Sequence, residues 1–383
     1  MHICFITSEY PKEGFSHGGI GSFVKTMSHL LASKNHRVTV LGINTYANED
    51  ERFKDENVDV IRLKSKKVKG LTWFFNNMSI NKELKQIHKS EPLDIVESAE
   101  LGLAFIKKIP SVKYIIRLHG GHHFFAEAEH RKVSMWKGFQ EKRSFKKADG
   151  FIAVSKYVME HTAKYLSYRN KPITVMMSPV NLEIFKLRPH IEVKPNRLLF
   201  AGTVCEKKGI YQLVKAMPKV ISHYPDVELH IYGRDWFFKD GKSYITFLKD
   251  YISKLNLKEE SIQFMGTVDM NTLAECYASA DVCVFPSLME TQGLVAPEAM
   301  AMGKLVIFTE CGPGPEIIED KKTGLLCNPY DVDDIANKIV WALANKKLSQ
   351  DMAERGRVHA LNILNKDSVV NRNIDFYYKI KDC

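Results

Sequence analysis

Short apolar runs recur along the whole chain, each bounded by polar residues and most followed by a stretch with helical spacing. HICFIT (2–7), HRVTVLGI (36–43), LDIVES (93–98), KYIIRLH (113–119) and FIAVS (151–155) are short and rich in Ile and Val. Runs of this kind are expected for parallel strands covered on both faces. Gly19 to about Leu31 carries a helical period after the first of them. The rhythm breaks over 177–196, where three prolines fall in a segment without a period. It restarts with runs at 197–202, 227–233, 262–266, 282–286 and 304–308, and helical stretches at Ile210–Ser222 and Ser243–Leu255 lie among them. The pattern predicts an α/β protein of two doubly wound domains. Their expected limits are 1–185 and 190–365, with the boundary near residue 188. A helical, aromatic tail over 366–383 is expected to cross back onto the first domain.

Length and composition narrow the class. At 383 residues, 45% hydrophobic and 26% charged, the chain is neither disordered nor collagenous nor a disulfide scaffold. No apolar run approaches the roughly 20 residues of a membrane-spanning helix. The N-terminal stretch lacks a basic segment followed by a long apolar one, so no secretory leader is expected and a cytoplasmic location is. Seven cysteines stand singly, without a CxxC pair. That argues for reduced, mostly packed thiols rather than a zinc site or disulfides. The net charge of +10 is uneven: residues 1–185 hold 29 Lys/Arg against 19 Asp/Glu, leaving 26 of each in the remainder. The first half is therefore expected to meet an anionic partner.

Four loops carry candidate chemistry. Glu290-Thr-Gln-Gly-Leu-Val-Ala-Pro-Glu298 follows the run at 282–286. Gly293 stands where a helix is expected to begin, and Pro297 fits only a first turn. The amides of Gly293, Leu294 and Val295 would then form a seat for phosphate. The flanking Glu290 and Glu298 would accept hydrogen bonds from sugar or ribose hydroxyls; they would also serve simply as acidic residues at a helix start. Gly202-Thr-Val-Cys-Glu-Lys-Lys208-Gly209 offers a lysine in a strand-to-helix turn, a feature common in such loops. Gly14-Phe-Ser-His-Gly18-Gly19-Ile-Gly21 permits close approach of backbone to a ligand. It has Val24 where a dinucleotide fingerprint needs its third glycine, and Ile20 where a P-loop needs lysine. Arg117-Leu-His119-Gly-Gly-His122-His123 ends a strand, the end at which α/β sheets bind ligands. Its histidine spacing matches no standard zinc pattern, so a functional His119 or purely structural histidines are the competing readings.

Taken in order, these pieces resemble family 4 of the retaining glycosyltransferases, within the GT-B superfamily. The resemblance runs through the Gly-Gly-Ile-Gly loop, Leu118-His119-Gly120, Ala148-Asp149 to Ser155, and Gly202 to Gly209. It continues through Ala280-Asp281 to Ser287, the Glu290/Glu298 pair, Gly312-Pro-Gly-Pro-Glu316 and Thr323-Gly324. It implies two Rossmann-like domains facing across a cleft, with the acceptor on the first and a nucleotide-activated sugar on the second. Glu298 would hold the ribose and Glu290 the donor sugar. Lys208 and the amides at 293–295 would stabilise the departing diphosphate. His119, Gly18 and Gly19 would reach the donor from the first domain, and Thr267 and Val268 would meet the base. The resemblance implies UDP more than GDP as carrier, retention of configuration, and no metal or other cofactor. Position 203 departs from the family pattern: Thr203 stands where an arginine is usual, five residues before the lysine, and threonine offers no charged clamp, so either Lys207 compensates or the diphosphate is held less tightly. Asn181 stands where the family's hinge often has Asp.

Two stretches bear on the acceptor. Arg62 to Phe75 sets five basic residues beside Leu71, Trp73, Phe74 and Phe75, and Arg131 to Lys147 mixes seven basic residues with Trp136 and Phe139. They read equally as an anionic membrane interface or as solvated helices with their aromatic rings in the core. A polyprenyl-diphosphate-linked saccharide fits the charge, and so does an anionic polymer. Nucleic acid is not expected, since no recognition motif accompanies the charge. The expected activity is sugar transfer in cell-surface polysaccharide or lipopolysaccharide assembly, at the inner face of the cytoplasmic membrane. A GT-B nucleotide-sugar epimerase and a turnover-impaired nucleotide-sugar-binding protein are the alternatives.

Overall fold

The computed structural model describes the whole chain except Gly14, Ser16, His17, His130 and Asn256. Three positions of the Gly14–Gly21 loop thus lie outside the described residues. The chain divides into two compact units, Met1–Pro179 with Asn365–Cys383, and Val180–Leu364.

The first unit holds eight strands: β1 (His2–Ile6), β2 (Arg37–Ile43), β3 (Glu51–Asp55), β4 (Val58–Leu63), β5 (Ile95–Ala99), β6 (Lys113–Leu118), β7 (Gly150–Ala153) and β8 (Ile173–Val175). Their order is β3-β4-β2-β1-β5-β6-β7-β8, parallel except for β3, which runs antiparallel to β4. Ile3, Phe5, Val38, Val40, Val60, Ile95, Ile115 and Ile152 pack with Phe23, Val24, Met27 and Leu31 of the helix Gly19–Ser33. The β3–β4 pair is absent from the sequence-based expectation. ERFKD is mostly exposed and charged, as suits an edge strand, and Arg52 meets both oxygens of Glu83 at 2.7 and 2.8 Å.

The C-terminal helix Lys366–Lys381 belongs to this first unit. Val370, Phe376, Tyr377 and Ile380 join its core. Arg117, fully buried, donates from Nε to Glu97 at 2.7 Å and from Nη2 to Asn373 Oδ1 at 2.7 Å, while the Tyr377 hydroxyl donates to Glu97 at 2.7 Å. A buried ion pair tolerates its desolvation only when its remaining polar atoms are also bonded. Asn373 and Tyr377 supply those bonds.

The second unit holds β9 (Arg197–Ala201), β10 (Glu228–Tyr232), β11 (Ile262–Gly266), β12 (Val282–Phe285), β13 (Leu305–Thr309) and β14 (Leu325–Cys327). All are parallel, in the order β11-β10-β9-β12-β13-β14. The order reverses between β9 and β12, and in doubly wound sheets the loops leaving the strands there form the ligand crevice. The division falls after Pro179, ahead of the expected boundary near 188. The cause is packing: Phe185 meets the Tyr277 ring at 6.0 Å and Arg188 pairs with Glu275 at 3.1 Å, both within the second unit.

Trp73, Phe74, Trp136 and Phe139 are not core residues, whereas Phe145 of the second stretch is buried and packs on Phe151. Trp73 meets Phe105 at 4.7 Å and Trp136 at 5.1 Å, and Trp136 stacks on Phe139. Trp136 and Phe139 nevertheless remain 44% and 51% exposed, which excludes the buried alternative for them.

Candidate functional site

The site begins with a glycine that lets a loop lie against the end of a neighbouring strand. After β9 the chain passes Gly202, runs extended to Cys205, makes one tight turn over Glu206–Lys208 and enters the helix Ile210–His223. Gly209 caps that turn at φ 68°, a left-handed conformation that an L side chain resists. A Cβ there would lie 1.7 Å from the carbonyl oxygen of Pro286. The turn therefore lies directly against the end of β12, and the Met289 amide donates to the Lys207 carbonyl at 3.1 Å.

This contact sets Lys208 beside Glu290, with Nζ to Oε1 at 2.5 Å. Ser287 donates to the same oxygen at 2.9 Å. Glu290 is 6% exposed, whereas the Lys208 side chain is a quarter exposed. The carboxylate is thus the fixed partner, and the ammonium is the one with access to solvent.

The helix after Glu290 spans Val295–Ala301, starting two residues later than expected. Gly293 stands at φ 76° and cannot be its first residue; a Cβ there would sit 2.6 Å from the Phe308 ring and 3.4 Å from the Glu290 carboxyl carbon. Leu294 caps the helix, and its carbonyl accepts the Glu298 amide at 3.0 Å. The amides that open a helix have no acceptor within it. Glu298 projects from the first turn and is almost fully buried. Burial pushes its pKa up to about 7, and the Tyr277 hydroxyl lies near enough to favour the charged form. At neutral pH the carboxyl is therefore poised between its two forms.

Two further loops leave the same edge. Thr267 and Val268 follow β11, past Gly266 at φ 73°, whose carbonyl accepts the Gly233 amide at 2.8 Å. Val268 is exposed there. Thr203 is met by Arg234 from the end of β10, with Nε to Oγ1 at 3.4 Å. Arg234 is a residue that the sequence reading missed.

His119, Gly18 and Gly19 lie at strand ends of the first unit. Gly18 caps the helix that Gly19 begins, and a Cβ on Gly18 would come within 2.8 Å of a Glu9 carboxylate oxygen. His119 follows β6; its amide donates to Glu100 at 2.6 Å and its ring packs on Phe23 at 5.2 Å. Burial, with the Arg117 charge adding, holds its pKa near 3, so the imidazole is neutral at physiological pH. Glu100 is itself pushed up to about 8 by burial, with Glu141 adding. The next two histidines are structural: their amides donate to Glu141 at 2.6 and 3.1 Å, the His123 ring also meets that carboxylate, and His122 accepts the Ser134 amide at 2.9 Å. Among the described residues, no three His, Cys, Asp or Glu side chains converge as metal ligands.

Residues 17–184 match the family model described as Glycosyltransferase Family 4, and residues 183–359 match Glycosyl transferases group 1. An uncharacterised glycosyltransferase of Methanocaldococcus jannaschii is 25% identical, with 98% of each chain covered. Sucrose-phosphate synthase of Thermosynechococcus elongatus superposes with a TM-score of 0.86 at 22% identity, over 99% of this chain and 98% of that one. HepE of Anabaena, in complex with UDP-glucose, gives 0.79 at 16% identity, over 99% and 100% of the two chains. The fold is that of the GT-B glycosyltransferases. The chain belongs to the group 1/family 4 glycosyltransferases.

Proposed function

We propose that this glycosyltransferase moves a hexose from a nucleoside-diphosphate sugar to a saccharide acceptor, with retention of configuration. UDP is the proposed carrier, and the acceptor is a polyprenyl-diphosphate-linked saccharide of cell-surface polysaccharide or lipopolysaccharide assembly. The Lys208–Glu290 pair at the switch point of the second sheet carries this reading. It sets a solvent-accessible cation and a fixed hydroxyl acceptor side by side, which is what a charged leaving group attached to a sugar requires. The neighbour HepE, in complex with UDP-glucose, supports the choice of UDP.

In the proposed reaction the bond from the anomeric carbon to the diphosphate breaks, and the acceptor oxygen bonds to that carbon on the same face. The acceptor proton passes to an oxygen of the leaving phosphate. Charge accumulates on the diphosphate as the bond breaks, and a preorganised ammonium and amides stabilise it there. Glu290 holds sugar hydroxyls and Glu298 the ribose hydroxyls. Neutral His119 orients the sugar as a hydrogen-bonding group rather than as a charge. Side-chain cations and backbone amides take the place of a metal in this reading, so turnover should persist in EDTA.

Incubation of the purified protein with UDP-, GDP- and ADP-sugars tests the donor reading by thermal shift, with EDTA present. A cognate ligand at about 100 times its Kd should stabilise by about 2.7 kcal/mol. No shift with any nucleotide sugar or diphosphate would sink it.

Glu298 gives a second check. Ribose hydroxyls donate to its ionised form, so donor binding at pH 7 should draw the carboxyl from its half-protonated state to the carboxylate and release about half a proton per site. With the free carboxyl titrating at about 7, affinity should be roughly tenfold weaker at pH 6 than at pH 8. Folding shows the opposite trend. The raised pKa makes the group's contribution to stability greatest in acid, and that contribution is lost as pH rises towards 7. Calorimetry at three pH values measures the binding effect, and Glu298→Gln should abolish that part of the pH dependence. A dependence unchanged in the Gln variant would assign it to the nucleotide's own phosphates.

Membrane contact is supported by the exposed Trp73, Phe74, Trp136 and Phe139, framed by exposed Lys64, Lys66, Lys67, Lys69, Lys132 and Lys137. Rings that sit at the headgroup level beside lysines suit an anionic leaflet. No described helix is long and apolar enough to cross a membrane. The protein should therefore lie on the surface and sediment with vesicles containing phosphatidylglycerol but not with purely zwitterionic ones.

A further inference from the structure

We propose that Arg234 is the guanidinium that grips the donor's diphosphate, reaching it from the strand next to the one that carries Thr203 and Lys208. This rests on the donor reading above and adds to it a residue outside the sequence motif.

Lys208 is the motif's cation, yet its ammonium is 2.5 Å from a buried carboxylate, and that pair is close to neutral as a unit. A nucleoside-diphosphate sugar brings a charge on each phosphate. One lysine already matched to Glu290 leaves much of that charge uncompensated. Position 203 contributes only a hydroxyl.

Arg234 lies where it can supply the missing charge. Its backbone is locked to the 202–204 segment. The Val204 amide donates to the Arg234 carbonyl at 2.9 Å, and Val204 bridges to Asp235 in parallel register. Gly233 stands at φ 148°, and a Cβ there would lie 1.7 Å from the Gly202 carbonyl oxygen. Only a glycine lets the two strand ends come so close, and this sets the side chains of 203 and 234 next to each other. The Arg234 Nε–H then donates to Thr203 Oγ1 at 3.4 Å. The terminal nitrogens remain for a ligand. Among the described residues its one side-chain bond is that to Thr203, and the side chain is exposed.

The loop that follows fixes the backbone beside this arginine. Asp235 accepts the amides of Trp236 at 2.8 Å and Ile245 at 3.0 Å, and the Tyr244 amide returns to the Trp236 carbonyl at 2.8 Å. Trp236 and Tyr244 both pack on Phe238, at 5.4 and 5.3 Å. A pre-set planar fork binds phosphate oxygens bidentately, with less entropy lost per bond than a free side chain. In this arrangement threonine at 203 orients the arginine and replaces no charge itself.

The test compares binding with and without phosphates. Calorimetry with UDP, GDP and ADP first selects the diphosphate that binds the wild type most tightly; NMR titration then measures its nucleoside. Arg234→Ala should weaken the diphosphate about 10- to 100-fold, the worth of a hydrogen-bonded charge, and leave the nucleoside within about twofold. Arg234→Lys should fall between, because it keeps the charge and loses the fork. Adding Thr203→Arg to Arg234→Ala should recover at least part of the loss, since the two positions share one space. A diphosphate affinity within twofold of wild type in Arg234→Ala would overturn the proposal, as would an equal loss for diphosphate and nucleoside. If the wild type itself binds none of the three diphosphates, the donor reading fails, and the proposal fails with it.

Discussion

Lys208→Ala should lower kcat by roughly 10²- to 10³-fold while changing the donor's Michaelis constant far less. That is the loss seen when one preorganised group aimed at developing charge is removed. The substitution has a structural consequence too. It strips the ammonium from Glu290, a carboxylate 6% exposed whose same oxygen accepts the Ser287 hydroxyl at 2.9 Å. A buried charge left without its partner destabilises the fold. The two effects separate in the double variant Lys208→Ala/Glu290→Gln. Removing the orphaned charge should return most of the thermal stability and none of the turnover. If turnover returned with stability, Lys208 would be a strut for the loop rather than a participant in the reaction. Lys208→Arg should keep the ion pair but aim its charge differently, and so should stay well below wild type.

The parts legible in the sequence are those that local pattern encodes. Buried parallel strands read as apolar runs, and the runs at 2–7, 113–119, 197–202 and 262–266 correspond to β1, β6, β9 and β11. Lys208 and the Glu290/Glu298 pair stood in the sequence as separate loops, joined only by the family resemblance; pairing of β9 with β12 is what brings Lys208 to Glu290. What escaped depends on long-range contact or on backbone sign. Arg234 looked like any surface arginine; only the Gly202–Gly233 approach makes it a neighbour of Thr203. Glu100 and Glu141 carried no signal, because a carboxylate's role in holding the His119–His123 turn comes from burial that neighbours impose. The helix expected at Gly293 starts at Val295 because a glycine at φ 76° ends a turn and does not open a helix. The three-residue β14 is too short to show any period.

Gly209→Ala should impair folding and turnover together, although alanine adds a single methyl group. The added carbon would lie 1.7 Å from the Pro286 carbonyl oxygen, and the backbone at φ 68° already disfavours it. The left-handed conformation costs about 1–3 kcal/mol for a non-glycine residue. Forcing an atom into a packed contact costs about 1–3 kcal/mol more. A total of about 2–6 kcal/mol should appear as a lower urea midpoint at constant slope. The chain has one cheap way to relieve the clash, which is to move the Glu206–Lys208 turn away from the end of β12. That movement withdraws Lys208 from Glu290 and breaks the bond from the Met289 amide to the Lys207 carbonyl. Turnover in the folded fraction should therefore fall by at least about 10²-fold, towards the level of Lys208→Ala, since a misplacement of about 1 Å costs that much. Gly241→Ala makes the control. That glycine also has positive φ, at 85°, but no atom lies within 4 Å of an added Cβ. It should lose stability through backbone strain alone and keep its turnover. Full activity in folded Gly209→Ala would mean that the reaction does not depend on where the close contact with β12 holds Lys208.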